Sequence, residues 1–213
     1  MDSVAPEAAI KALVRNAVQS FAAGFQARHE GEYDDPEGVL NMKIHNVFIA
    51  LLEDPELQYY TALVRSFDSS LGNMLEGLAI EIAKLFYTVK RDVTGVLSVE
   101  QIRGIAELLE QYKRREKKPA IDDYQFLRVR PPAENLIEKR HDSDYYLTDE
   151  KTGRHYLIEL KIGGDLDNKK ARSEKEAILE QFAILSNGLP DGTPIQIFFA
   201  TGYNRYGEQS RRA

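Results

Sequence analysis

Cysteine is absent from the 213-residue chain, which removes disulfides, zinc–thiolate sites and cysteine nucleophiles from consideration. Histidine is scarce. The four present are scattered and show no HExxH spacing, so a histidine zinc site is not expected. No apolar run approaches the roughly 20 residues needed to cross a bilayer, and the N-terminus MDSVAPEAAIKALV is acidic rather than basic. The expectation is a soluble, cytoplasmic protein without membrane contact, whose chemistry comes from oxygen ligands and lysine. Positive charge is also in deficit. A formal charge of -6 argues against a non-specific coat on DNA, because lysine and arginine carry phosphate binding. The basic residues are nevertheless clustered, as KRREKK at 113–118, KR at 139–140, KKAR at 169–172 and RR at 211–212. A surface that is acidic outside and basic in one cleft satisfies both facts.

The length suits one domain, or one domain with a helical extension, and is sufficient for a real core. Ile10, Leu13, Val14, Ala17, Val18 and Phe21 recur at helical spacing and predict an amphipathic helix from Pro6 to Ala27. NMKIHNVFIALLED predicts a second helix that ends before Pro55, and two more are expected at about 69–89 and 98–115. Ser98 with Gln101 forms a capping box for the last of these. Beyond Pro132 the pattern becomes mixed, with strands expected at 143–149, 154–162 and 194–200. A helix between the last two carries a start signal at Ser173 and Glu176 and a stop at Asn187-Gly188. PIQIFFA lacks alternation, which predicts a central strand buried on both sides and parallel to its predecessor through the helix crossover. The expected class is α/β (α+β): a mixed β-sheet core flanked by helices. A helical region over 1–120 precedes an α/β core over 121–213, packed as one compact unit.

Within that core, Asp144, Glu159 and Lys161 spell Asp, fourteen residues, Glu-Leu-Lys. Alternation puts Tyr156, Ile158, Leu160 and Ile162 on one face of a strand, where an apolar surface supplies the packing. Leu157, Glu159 and Lys161 fall on the other, free to present an acid beside an amine. Residues 150–153, EKTG, close a hairpin with Gly153 in the left-handed conformation. If Asp149 faces Arg154, counting back sets Asp144 opposite Glu159, where β-carbons lie about 4.5–5.5 Å apart. Two carboxylates that close repel unless a cation lies between them, and a hard oxygen-seeking ion such as Mg²⁺, with Mn²⁺ as a substitute, resolves the conflict. Such a metal polarises a scissile phosphate and acidifies water. Lys161 is then placed to orient that water, to help deprotonate it, or to stabilise developing charge, and the sequence does not choose among these. The same residues also describe an exposed, salt-bridged hairpin. Burial decides between the two readings.

Past the glutamate, Lys169, Lys170 and Arg172 are candidates to clamp flanking phosphates. Upstream, Leu71, Leu75, Leu78, Ile82 and Leu85 form a buried stripe, with Glu76 and Glu81 near its edges. Glu76 is preferred as an additional metal ligand because Gly72, Ala79 and Ala83 give its side of the helix a small-residue surface. Base reading in the major groove uses Arg, Lys, Asn or Gln, for which Gln125, Arg128, Arg130, Asn204 and Arg205 are candidates.

On Asp144 and the ELK of 159–161, in strand-hairpin-helix-strand order, the chain resembles PD-(D/E)xK nucleases over roughly residues 140–200. SFDSSLGNMLE at 66–76 and KIGGDLDNKKA at 161–171 are similar to TdeIII-type type II restriction endonucleases. The resemblance implies a restriction-endonuclease-like fold and metal held by Asp144 and Glu159, with an earlier helical acid such as Glu76 completing the site. It also implies a lysine that assists the attacking water, and a homodimer cutting a short palindrome in double-stranded DNA. The helical part would then supply dimer contact and DNA grip. One departure is that the usual Pro-Asp is Ser143-Asp144 here, which leaves Asp142 as a stand-in for Asp144. A repair or recombination nuclease, an RNA-processing nuclease and a non-catalytic helical interaction module are the rival readings.

Overall fold

The computed structural model describes residues 4–32, 47–51, 54–132, 135–161 and 168–201. The chain divides into two compact units, Met1–Leu85 and Phe86–Ala213.

The first unit is helical: α1 (Val4–His29), α2 (Val47–Leu51) and α3 (Pro55–Ala83). Asp54 caps α3 by accepting a hydrogen bond from Leu57 N at 3.0 Å, and Pro55, whose missing N–H is no loss in a first turn, follows it. α3 therefore begins well before residue 69, where its apolar stripe first becomes regular. Against it α1 packs Phe21 and Phe25, both edge-on to Phe67 with centroids 5.4 Å apart.

The second unit is built on a four-stranded sheet in sequential order, from β1 (Thr88–Ser98), β2 (Leu136–Asp149), β3 (Arg154–Lys161) and β4 (Ile195–Thr201). α4 (Val99–Lys113) follows β1, a 3-10 helix spans Ile121–Arg128, and α5 (Asn168–Gly188) crosses from β3 to β4. The first two strand pairs are antiparallel and the last is parallel, as expected of a helical crossover. Leu97, Ile105, Leu127, Leu157 and Phe182 are at most 1 % exposed and form the centre of the core. Full burial of each such side chain is worth about 1.5–3 kcal/mol.

The predicted capping box at Ser98 and Gln101 is present, and its buried glutamine does more than cap. Gln101 exchanges amide hydrogen bonds with Asn187 at 3.0 and 3.1 Å and donates to Leu127 O, while Asn187 donates to Val96 O at 2.8 Å. One polar cluster thus ties β1, α4, the 3-10 helix and the end of α5.

Three expectations are corrected. TVKRDVTGVLS, unassigned or given to helix ends, forms β1, whose exposed Lys90, Arg91 and Asp92 mask its alternation. α5 starts at Asn168, so Ser173 lies inside it rather than at its cap. β4 is an edge strand among the described residues, with Phe198 and Phe199 46 % and 40 % exposed, rather than a central strand buried on both faces.

Candidate active site

The hairpin between β2 and β3 is set by its turn. Gly153 has φ +66° and donates to Asp149 O at 2.8 Å, and the Asp149 carboxylate accepts from Lys151 N and the Thr152 hydroxyl. These local bonds fix the register, Asp149 opposite Arg154 through to Tyr145 opposite Ile158. The paired register ends there, one residue short of Asp144 and Glu159.

β2 is irregular at this point. Its pairing with β1 shifts between Lys90 and Asp92, which face Tyr146 and Asp142, so Ser143 to Tyr145 form a bulge opposite the single residue Arg91. Within the bulge Asp144 turns its carboxylate onto the neighbouring strand and accepts a hydrogen bond from Leu160 N at 2.9 Å. A side-chain oxygen thus takes up the amide at the site where the ladder breaks. Asp142, on the β1 side of the bulge, is exposed.

Leu157, Glu159 and Lys161 share one face of β3, as alternation predicts, but this is the face that packs on α5. Leu157 is fully buried in the core and Glu159 is only 7 % exposed. The Tyr156 and Ile158 face, expected to supply the packing, is only partly buried. Lys161 Nζ lies 2.5 Å from Glu159 Oε1 and 3.0 Å from Glu174 Oε1, bridging β3 to α5. Burial pushes the Glu159 carboxyl up to about 7; the Lys161 hydrogen bond opposes the rise, while Glu174 and the Asp144 charge add to it. Burial also works against the Lys161 charge, yet its bonds to Glu159 and Glu174 outweigh that and raise its pKa, so it stays an ammonium. Three carboxylates therefore crowd one cation in a partly dry site. Among the described residues no group of three or more His, Asp or Glu is spaced as a ready metal cage.

Glu174 is the site residue that sequence reading missed. With the helix start placed at Ser173, it reads as an ordinary first-turn acid. Starting α5 at Asn168 adds more than a turn before it and brings it to Lys161.

The other candidates are distributed as follows. Glu76 is partly buried on α3, in the helical unit, and Glu81 on the same helix pairs with Lys84 at 2.6 Å. Arg128 donates to Thr193 O, Ile195 O and Gln125 Oε1 and lies over the Phe182 ring, so it ties the 3-10 helix to the sheet. Gln125 also donates to Ile121 O, and Arg130 donates to Leu189 O and pairs with Asp191. Arg172 pairs with Glu110 at 2.9 Å. The side chains of Lys169 and Lys170, and all of Asn204 and Arg205, lie outside the described residues.

A buried Glu-x-Lys on the second strand of a hairpin, beside a bulged Asp, is the arrangement on which the nuclease expectation rests. Residues 7–211 match the family described as Type II restriction endonuclease, HinfI. The chain belongs to this family. Membership in the HinfI family implies a nuclease whose substrate is DNA, and the mixed sheet with its helical N-terminal region is compatible with a restriction-endonuclease-like fold. The TdeIII-type likeness of the two motifs is narrower than the HinfI match carries. No curated protein and no solved structure matches the chain significantly. Among the described residues no helix is long and apolar enough to cross a membrane.

Proposed function

We propose that the protein is a cytoplasmic, Mg²⁺-dependent type II restriction endonuclease that, as a homodimer, hydrolyses phosphodiester bonds at one short site in double-stranded DNA. The observation that carries this reading is the buried Glu159, joined to Lys161 and Glu174 and close enough to Asp144 to feel its charge. A salt-bridged surface hairpin would leave these groups in water. Here they stay partly dry with more carboxylate than cation, an imbalance that suits a divalent ion and is costly without one.

Asp144 and Glu159 are the residues that would hold the ion, Mn²⁺ being an acceptable substitute. When bound, it supplies Lewis-acid polarisation of the scissile phosphate and acidifies water. Glu174 anchors the Lys161 ammonium. That ammonium, kept charged, orients the attacking water and neutralises charge that develops on the phosphate oxygens, rather than removing a proton. Among type II enzymes, the motifs at 66–76 and 161–171 resemble those of the TdeIII type, while the whole-chain match is to HinfI.

The test is incubation of purified protein with plasmid DNA and Mg²⁺, beside a Lys161→Ala control. Discrete bands from the wild type alone are expected. Smears would replace site-specific cleavage with a non-specific nuclease, and DNA left intact under several divalent metals would overturn the reading.

A further inference from the structure

The C-terminus of α4 contains a backbone anomaly. Arg115 has φ +59°, the left-handed conformation that closes many helices and is normally left to glycine. Its amide donates to Tyr112 O at 3.1 Å, and Glu116 N reaches back to Gln111 O at 3.0 Å, so the chain reversal is a regular helix stop in which a long cationic side chain stands where glycine serves better. That side chain lines a cavity of about 620 Å³ with Lys113 from α4 and Arg172 and Lys175 from α5. One carboxylate is paired into this group: Glu110 holds Arg172 at 2.9 Å and Lys113 at 3.8 Å. Among the described residues, Arg115 and Lys175 have no ion-pair partner. In a chain of formal charge -6, four cations about one acid form a local positive well.

The well sits beside the candidate active site. Arg172 and Lys175 bracket Glu174 in sequence, and Glu174 is the residue that reaches Lys161. Arg172 and Glu174 lie two residues apart on α5 and so project from different faces of a helix about 10–12 Å across with its side chains, one toward Glu110 and the other toward Lys161, a span of a few nucleotides of DNA backbone. Arginine and lysine around a cavity match phosphate oxygens, the aliphatic lining from Leu109 and Ala171 offers them no competing acceptor, and nothing in the group is arranged to distinguish one base from another.

We propose that the cavity framed by Lys113, Arg115, Arg172 and Lys175 is a phosphate-binding subsite that holds the DNA backbone a few nucleotides from the scissile bond. The left-handed Arg115 is retained for that contact. The subsite rests on the nuclease reading above, because DNA is the polyanion the site would receive.

The test uses full-length protein, a mixed-sequence 30-base-pair duplex in EDTA to prevent cleavage, and a salt titration of affinity. Arg115→Gly is expected to leave the unfolding temperature unchanged or raise it by up to about 4 °C, since glycine suits the backbone better. Its affinity at 0.1 M salt should fall about tenfold, and the slope of log affinity against log salt should drop by about 1. Lys175→Gln should do the same, and the double variant should lose about 2 from the slope. With Mg²⁺ and plasmid, both variants should give the wild-type bands at higher enzyme concentration, because the contact carries no sequence information. Wild-type salt slopes in both variants, with the parent enzyme cutting normally, would overturn the subsite alone. A parent protein that neither binds the duplex nor cuts plasmid would overturn the subsite and the nuclease reading together.

Discussion

Glu159→Gln should stabilise the metal-free protein at pH 8 while abolishing its cleavage. Burial lifts the Glu159 carboxyl from 4.5 to about 7, so the folded state holds its proton more tightly than the unfolded chain does. For an acid raised in this way, the stabilising contribution is complete below pH 4.5 and is lost as pH climbs through about 7. At roughly 1.4 kcal/mol per pH unit, the rise corresponds to about 3 kcal/mol. Glutamine matches the shape of the protonated acid and escapes this loss. It also gives up the ionic part of the contact with Lys161, which keeps its second partner Glu174 at 3.0 Å. A net gain of about 1–2 kcal/mol remains, or about 2–8 °C in unfolding temperature for a chain of this size. The assay is thermal unfolding in EDTA at pH 5 and pH 8. The wild type should lose stability between the two pH values relative to the variant, and the two should converge at pH 5. Added Mg²⁺ should raise the wild type and not the variant. Identical pH dependence in both proteins, or a variant less stable than wild type at pH 8, would refute the idea that Glu159 is a desolvated acid awaiting a cation.

Glu174→Gln removes a hydrogen bond that raises the Glu159 pKa, so the acid limb of the cleavage profile should move to lower pH, with a loss of about tenfold in turnover from a less firmly held Lys161. A pH–rate series on plasmid cleavage reads both effects. Gly95→Ala places a methyl group 2.6 Å from Ile184 Cγ2, where β1 packs on α5, and should cost about 1–3 kcal/mol in urea unfolding. In an Ile184→Ala background, which lacks Cγ2, the same glycine substitution should cost less than it does beside Ile184 if the clash is the cause. Gly153→Ala meets open space but keeps a left-handed φ, so a loss of about 1 kcal/mol should appear from backbone strain alone.

The local signals proved the most readable. The Ser98–Gln101 cap, the EKTG turn with its left-handed Gly153 and the Asn187-Gly188 stop depend on atoms a few residues apart, and all lie where chemistry within one turn places them. β1 was not legible, because solvated lysine, arginine and aspartate on an edge strand leave only a weak apolar alternation. The start of α5 was misplaced for a related reason: Ser173 and Glu176 have the spacing of a cap, but helix already surrounds them.

By itself, the sequence determined the chemistry available: no thiols, few histidines, and a hairpin whose turn sets the pairing of the two strands that carry an acid and a Glu-x-Lys. Tertiary structure alone decided what that chemistry experiences. Alternation separates the faces of a strand but does not say which face meets a helix, so only the packing of α5 shows Glu159 dry, Lys161 held between two carboxylates and Glu174 part of the site. Desolvation depends on neighbours distant in the chain, and those neighbours turn a common surface pattern into a strained constellation of charge.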